Sequence, residues 1–331
     1  MANRDGDGWV RCAQGHRHWG RFGAAGLLAY VPEASGDATV LLQRRSLWGN
    51  HPGTWGPPGG AMDSHESAVH AALREAAEEC DIPAAEVSVS GILRDDHGGW
   101  SYQTVIAAAR WPFPVRSASA ETSEVGWIRA DDVGRLDLHP GFAEQWPSLR
   151  AWLAPLTVIV DVANVMGSRA DGWWRDRAGA AVRLHGELAA LAVAGLPGLP
   201  ASIAGPVLER WFPGYVLVLE GAARAAAARL PRPRDDRPAP PATRPGQPRV
   251  GPSPAAPPPA ASPAGPSPDE PPSPGQVRAV TATGSGDDLI ADLAAGLPGR
   301  RLVVTADREL RGRCEAAGAA VTGPRWLLGM L

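Results

Sequence analysis

Short apolar runs separated by turn residues dominate the chain from about residue 24 to residue 130. AAGLLAYV and ATVLLQRR, split by the turn-like PEASGD, read as two strands, and VSVSGIL, YQTVIAAA and EVGWIRA read as three more. Between them, after the Gly/Pro loop GNHPGTWGPPGG, Ala68, Val69, Ala72, Leu73, Ala76 and Ala77 recur at helical spacing and predict a helix with one buried stripe. Its start is expected at Asp63 or Ser64, with Asp63 capping the first turn and Glu66 bonding back to it. From residue 156 the pattern changes. LTVIVDV, YVLVLEG and RLVVTAD are continuous apolar runs, joined by QVRAVTA, and they alternate with Ala/Leu-rich helical stretches such as RAGAAVRLHGELAALAVAG and DDLIADLAAGL. That alternation predicts a parallel sheet covered by helices. The expected class is α/β throughout, with a first unit over 1–150, a second over 156–331, and a boundary near PSLRAWLAP at 147–155.

Composition adds one further division. Residues 231–275 hold 18 of the 34 prolines and almost no large apolar side chains, so they are read as a disordered insertion with polyproline character in the second unit. A proline-rich docking segment is the alternative reading. The net charge of -3 argues against a strongly basic nucleic-acid binder. All basic residues are Arg, as in proteins of GC-rich bacterial genomes. The three cysteines, Cys12, Cys80 and Cys314, are dispersed and odd in number, which favours a reducing cytoplasm over a disulfide framework. No apolar run is long enough to span a bilayer, so a cytoplasmic protein without a membrane partner is expected.

The predicted helix gathers Glu75, Glu78 and Glu79 at i, i+3 and i+4, where like charges repel. Arg74 can orient one neighbour but cannot neutralise three. A solvated acidic face is one explanation. The other is a divalent-cation site, because clustered carboxylate oxygens suit Mg²⁺, with Mn²⁺ as a second choice, bridging to substrate phosphates. The loop WGPPGG favours the cation: Gly59 and Gly60 bring a bare backbone to the expected helix start, where N–H groups attract anionic oxygen.

Gly60, five residues, Glu66, seven residues, then Arg74-Glu75-Ala76-Ala77-Glu78-Glu79-Cys80-Asp81-Ile82 resembles the Nudix box, G-x5-E-x7-R-E-U-x-E-E-x-G-U. Every charged position is present, and Asp81 stands where the family has Gly. That residue ends the helix in a position that needs a left-handed backbone, which Asp tolerates better than most. The resemblance spans roughly 20–150 and implies a Nudix α/β/α sandwich with a mixed sheet. It also implies a Mg²⁺-dependent pyrophosphohydrolase acting on a nucleoside diphosphate linked to another group. By the resemblance, Glu75, Glu78 and Glu79 hold metal, Arg74 and Glu66 brace them, and Gly59, Gly60 and Glu66 lie on the phosphate side. A later Glu, either Glu121 or Glu124 with Glu121 preferred, serves as base or further ligand. The box does not name the substrate; Trp55, Trp100 and Tyr102 either stack on a base or pack the core.

In the second unit Asp161 ends a strand and is followed by Asn164, Glu220 and Asp307 end two more, and Asp287 and Asp288 open a helix. Ligands of parallel sheets collect beyond the C-terminal strand ends, so these acids are expected at one edge. VDVAN, an acidic strand end, DD on a helix and TADREL, in that order, resemble PIN-like nucleases of the NYN type. The resemblance covers about 156–230 and 276–331. It implies that Asp161, Asn164, Glu220, Asp287, Asp288 and Asp307 bind Mg²⁺ or Mn²⁺ and activate water against an RNA phosphodiester. A unit that keeps the fold and only binds RNA or metal is the alternative. Trp173, Trp174, Arg175 and Arg177 either contact single-stranded nucleic acid or seal an interface.

CAQGHRHW offers Cys12, His16 and His18, but no fourth ligand follows, and a structural zinc site wants four. Packing over a sheet edge is the expectation there. The whole chain therefore reads as a nucleoside-diphosphate-cleaving hydrolase joined to a metal-dependent ribonuclease unit. The rival is an RNA-processing nuclease whose first unit senses a nucleotide or trims RNA 5′ ends; a third reading is a non-catalytic nucleotide- or RNA-binding module. The pattern is silent on oligomeric state.

Overall fold

The computed structural model describes residues 4–33, 37–47, 51–203, 208–231 and 273–331, and the proline-rich stretch expected at 231–275 lies almost wholly outside them. The hairpin β1 (Trp9–Arg11) and β2 (Arg17–Trp19) comes first. β3 (Ala24–Pro32), β4 (Ala38–Arg45), β5 (Trp55–Gly56) and β6 (Gly59–Ala61) lead into helix α1 (Ala68–Cys80). β7 (Val87–Asp96), β8 (Ser101–Ala109), β9 (Thr122–Arg129), α2 (Ala130–Val133) and α3 (Pro140–Arg150) follow. The second half contains β10 (Leu156–Asp161), α4 (Val162–Gly167), α5 (Arg177–Ala194), β11 (Arg210–Trp211), β12 (Gly214–Leu219) and β13 (Val277–Thr281). It ends with α6 (Gly286–Gly296), β14 (Arg300–Val304), α7 (Arg308–Ala316), β15 (Ala320–Thr322) and α8 (Pro324–Leu328). Among the described residues no helix is long and apolar enough to cross a membrane.

The larger sheet runs β11-β7-β8-β3-β4-β5, with β6 on β3 and β9 on β4. It is mixed: β3 and β8 are parallel and the other pairs antiparallel. The period of two in β3 sends Leu28 and Tyr30 to one buried face and Ala25, Leu27 and Ala29 to the other. α1 covers that second face with Ala68, Ala71, Ala72, Ala76 and Cys80.

α1 differs from its expected form in three ways. It starts at Ala68, because Ser67 Oγ accepts from His70 N–H at 3.3 Å. Asp63 does not cap it: Asp63 Oδ1 is taken by the Gly6 N–H at 2.8 Å, and Asp63 with Glu66 closes a separate turn ahead of the helix. The buried stripe also includes Glu79, 6% exposed, and leaves Ala77 outside. The C-terminal end meets expectation. Asp81 is left-handed, φ 57° and ψ 38°, its N–H reaches the Ala76 and Ala77 carbonyls, and its carboxylate pairs with Arg116 at 2.7 Å.

The smaller sheet is parallel throughout, in the order β13-β12-β10-β14-β15. Strand order reverses about β10, which makes its C-terminal end the switch point of the sheet. The two sheets share an apolar core across the expected boundary. Leu149, Trp152, Leu153 and Leu156, at the expected boundary, are buried in one apolar core that reaches from Tyr30 and Val40 to Val158 and Leu217. Trp152 meets the ring of Trp211 edge-on at 4.6 Å, and the Arg300 guanidinium lies 3.8 Å over Trp152. Trp211 sits in β11, which pairs with β7 opposite Gly91 and covers the edge of the first sheet with a strand from the second half. A Cβ on Gly91 would lie 2.5 Å from Leu208, so glycine is what this approach permits.

Two stability measurements check these points. Asp81→Gly is expected to unfold in urea at the wild-type midpoint or above it, since it sheds left-handed strain and loses only an exposed pair. Asp81→Ala keeps the strain without the pair and should fall below Asp81→Gly by about 1 kcal/mol. Trp152→Ala, which empties the junction between the sheets, should cost about 3–5 kcal/mol.

Candidate active site

A cleft of about 880 Å³ opens between the turn at β5–β6, the inner face of α1, and the loops before β9 and α3. Arg4, Glu75, Glu79, Tyr102, Glu121 and His139 are among its walls. Its floor is set by one guanidinium. Arg74 meets Glu66 with two parallel bonds, Nε to Oε1 and Nη2 to Oε2, each 2.7 Å. Nη1 reaches Glu75 Oε1 at 2.6 Å, and Nη2 also donates to the Ala61 carbonyl at 3.1 Å. That fork ties Glu66 and Glu75 to one another and to the Ala61 carbonyl of β6. Arg74 holds Glu66 below the usual carboxylate range. Burial lifts Glu75 in spite of Arg74.

Glu79 is held from the opposite side. Its Oε2 accepts the Gly59 N–H and Gln43 Nε2, both at 2.8 Å. Burial outweighs these two donors and pushes the carboxyl up to about 7, with Glu75 and Glu121 adding to the rise. Glu78 stands farther out, beside Arg4 of the cleft wall. It pairs with Arg4 and lies 3.6 Å from Arg74, with a side chain 42% exposed. The three glutamates of the turn therefore divide: Glu75 and Glu79 line the cleft, and Glu78 stands at its outer rim.

Gly59 and Gly60 were expected at the helix start, where they would offer N–H groups to anionic oxygen. They lie in β6 instead, paired with β3, and the Gly59 N–H is given to Glu79. Their lack of side chain still matters. A Cβ on Gly59 would lie 2.4 Å from the Ala25 carbonyl oxygen, and one on Gly60 would lie 2.7 Å from the Glu75 carboxylate. Glu121 lines the cleft and Glu124, on β9 opposite Arg44, does not border it. Trp55 packs against the core, and Trp100 is covered by His18, stacked at 3.9 Å and 11°. Tyr102 borders the cleft, its hydroxyl against Gly26.

Four contributors escaped the sequence. Gln43 is 2% exposed on β4, donates to Glu79, and accepts from Cys80 Sγ at 3.3 Å and from the Thr122 hydroxyl. The available signal was an amide two positions after Leu41, on the face of β4 that otherwise packs against α1. Arg4 carried no local signal at all, and neither did the pair His51 and His139, whose rings are 4.6 Å apart. Burial, with His51 beside it, pushes His139 down to about 4.

At the C-terminal edge of the parallel sheet the structure gathers a second acidic group. Asp161, 4% exposed, caps α4 by accepting from the Asn164 N–H at 3.0 Å. Its Oδ2 takes the Asn164 amide at 2.6 Å and the Thr305 hydroxyl at 2.7 Å. Glu220 Oε2 accepts the Gly286 N–H at 2.9 Å, and Asp307 caps α7 through the Leu310 N–H at 2.8 Å. Burial raises Asp161 and Asp287, and the charges of Asp161, Asp307 and Glu220 raise Asp287 further. Asp288 is turned from this group to Arg313, 2.8 Å away, because one helical step separates it from Asp287. Trp173 packs partly into the core with Arg177 5.3 Å over its ring, while Trp174 is 57% exposed.

Comparison with known proteins places the first half. A family model for the NUDIX domain matches residues 23–151. Over 160 residues the chain is 44% identical to a Mycobacterium tuberculosis protein named "Putative 8-oxo-dGTP diphosphatase 3", covering 46% of this chain and 72% of that one. It is 41% identical over 158 residues to a nucleoside triphosphate pyrophosphatase/Nudix hydrolase fusion protein of Bifidobacterium longum, covering 46% of this chain and 33% of the relative. Among solved structures, the Nudix hydrolase RenU of M. smegmatis is 45% identical over 44% of this chain and 94% of its own, with a TM-score of 0.41. With its box residues drawn together around Arg74, the chain belongs to the Nudix hydrolases, enzymes acting on phosphoric anhydrides.

Proposed function

We propose that the first unit cleaves the phosphoric anhydride of a nucleoside diphosphate derivative, with divalent cations, Mg²⁺ by preference, held by Glu75, Glu78 and Glu79. The observation that carries this reading is the pairing of a lifted carboxyl, Glu79, with a braced one, Glu75, across a bare glycine backbone. The donor set suits a hard cation: it is all oxygen, Glu75 and Glu79 are both raised by burial, and Arg74 is already engaged by Glu66. When bound, the cation neutralises the diphosphate and acidifies a coordinated water. The chain's own part is positional. Both bonds to Glu79 fall on Oε2, which leaves Oε1 for the cleft. Glu66 locks the guanidinium that aims Glu75. Glu121, on the facing wall, takes the proton of the attacking water. His139, kept neutral at neutral pH by its low pKa, and Tyr102 offer uncharged surfaces to the rest of the substrate.

A second reading concerns the parallel-sheet unit. Its strand order, and the meeting of Asp161, Glu220, Asp287 and Asp307 at the switch point, support a PIN-like, metal-dependent ribonuclease with Asn164 as a positioning group. Asp288, paired with Arg313, falls outside that set.

Hydrolysis of a panel containing 8-oxo-dGTP, other damaged and normal nucleoside triphosphates, nucleotide sugars and ADP-ribose tests the first reading, and a single-stranded RNA tests the second. Glu79→Gln is expected to lower kcat on the preferred nucleotide by at least about 100-fold and to spare RNA cleavage, with Asp161→Asn doing the reverse. Failure of every nucleotide in the presence of Mg²⁺ and Mn²⁺ removes the first reading.

A pH titration of stability in chelated buffer gives an independent check. The folded state holds the Glu79 proton up to about 7, whereas an unfolded carboxyl releases it near 4.5. Protons are then bound more tightly by the native state, so this contribution is full at and below about pH 4.5 and lost as pH rises through 7. The melting temperature of wild type is expected to fall over that window more steeply than that of Glu79→Gln. Saturating Mg²⁺ should reverse the slope in wild type only.

A further inference from the structure

The sequence expects Cys12, His16 and His18 to stand without a fourth partner. The fold supplies one in His97, which follows β7 and is 79 positions beyond His18 in the chain. One ligand atom from each of Cys12, His16, His18 and His97 lies within 4.8 Å of the other three.

The hairpin brings its own three groups together. Cys12 and His16 face across a turn in which Gly15 N–H donates to the Cys12 carbonyl at 2.9 Å and Cys12 N–H to the His16 carbonyl at 3.1 Å. His16 and His18, two residues apart on an extended run, share a face. The β7–β8 turn brings the fourth. Ala13 N–H donates to the Gly98 carbonyl at 2.8 Å, and a Cβ on Gly98 would lie 2.8 Å from that of Ala13. Trp100 then backs His18, its Nε1 donating to the Gly20 carbonyl at 3.0 Å.

Two ring nitrogens at this junction are buried without a hydrogen-bond partner, His18 Nε2 and His97 Nδ1. His97 Nε2 faces Asp95 Oδ2 at 3.2 Å, an oxygen that also accepts Gln145 Nε2 at 3.1 Å. A histidine that gives one nitrogen to a carboxylate and presents the other is the outer-shell arrangement of metal ligands.

We propose that Cys12, His16, His18 and His97 bind a zinc ion in a closed site that pins the β1–β2 hairpin to the β7–β8 turn. One thiolate and three imidazoles are borderline-soft donors with no oxygen among them, and four protein ligands fill a tetrahedron. Bond lengths of about 2.3 Å to sulfur and 2.1 Å to nitrogen put such ligand atoms roughly 3.6 Å apart, so rotation of side chains by about an ångström closes the site. The Cys12 thiol proton passes to solvent as the metal enters. His16, His18 and Trp19 border the Nudix cleft, so the zinc fixes one wall of it while standing apart from the glutamates. The inference does not depend on the proposed substrate.

The full chain, purified without added zinc or chelator, is expected to contain one zinc per chain by elemental analysis. The metal-stripped protein titrated with Co²⁺ should develop the intense tetrahedral d–d bands and a thiolate-to-cobalt charge-transfer band. The sulfur nearest the glutamates, Cys80, is buried behind Gln43 and does not line the cleft, so cobalt at the glutamates gives no such band. Cys12→Ala and His97→Ala, each checked for folding by circular dichroism, should lose the zinc and the spectrum, and Cys314→Ala should keep both. A wild-type titration without the charge-transfer band overturns the proposal, a result that needs no variant to fold. So does a band that survives Cys12→Ala or vanishes in Cys314→Ala.

Discussion

Glu79 is a carboxylate set in the apolar stripe of a helix, and much of the first unit is arranged around that cost. α1 packs Ala71, Ala72, Ala76 and Cys80 against the sheet, and Glu79 falls on the same side at 6% exposure. An isolated carboxylate there would be expelled or neutralised. The fold answers with two donors, the Gly59 N–H and the Gln43 amide, and burial still lifts its carboxyl to about 7. Gln43 in turn is consumed by Cys80 and Thr122. The glycine pair, the buried amide on β4 and the threonine opening β9 are all consequences of one buried charge. What they do not cancel is the remaining desolvation, and a cation in the cleft is the counterpart that would.

The parallel sheet solves a related problem by different means. Asp161 is as buried as Glu79 but satisfies its oxygens through Asn164 and Thr305, both close to strand ends of the same sheet. Glu220 and Asp307 are spent on backbone N–H groups at helix starts, where the helix dipole also favours them. Their arrangement follows from the topology: every strand of a parallel sheet ends at the same edge, so one acid per strand end suffices to build a cluster. In the mixed sheet that option is closed, and the acids must come from a single helix, with an arginine to hold them apart.

Much of this was legible in the residues. All five long strands and the carboxylate helix of the first half follow from the pattern of apolar positions, and the box residues Glu66, Arg74 and Glu75 meet as the family resemblance implies. Asp81 takes the left-handed cap that its position demands. The failures are also physical. Helix rotation was read from small residues, and Ala77 and Glu79 exchange places because a stripe of alanines fixes phase poorly. The boundary expected at 147–155 marks where one hydrophobic pattern gives way to the next; the burial of Leu149, Trp152 and Leu153 there in a core common to both sheets depends on contacts with distant segments. β11 is too short to show a period, and its pairing with β7 is a contact between distant segments. Arg4 at Glu78, and His97 at the hairpin, are of the same long-range kind.

The β1–β2 hairpin shows why such a long-range contact is needed. Each strand has three residues, and a two-stranded ribbon of that size does not hold itself in water. Its largest side chains do little to anchor it: Trp9 and Trp19 are 50% and 44% exposed and meet each other edge-on at 5.5 Å, with Arg17 over Trp9. Apart from these, the inward groups are Val10, Cys12, His18 and the turn that abuts Gly98. A core this small cannot offset the entropy of ordering the residues around it, and small units of this kind are usually secured by a disulfide or a metal. Cys12 has no cysteine partner and remains a free thiol. The groups at the junction of the hairpin with the β7–β8 turn are thus one buried sulfur, two half-buried imidazoles and the exposed His16, with a carboxylate behind His97. That is poor material for apolar packing and good material for zinc, and it explains why a hairpin with so little buried surface is nonetheless fixed against the wall of the cleft.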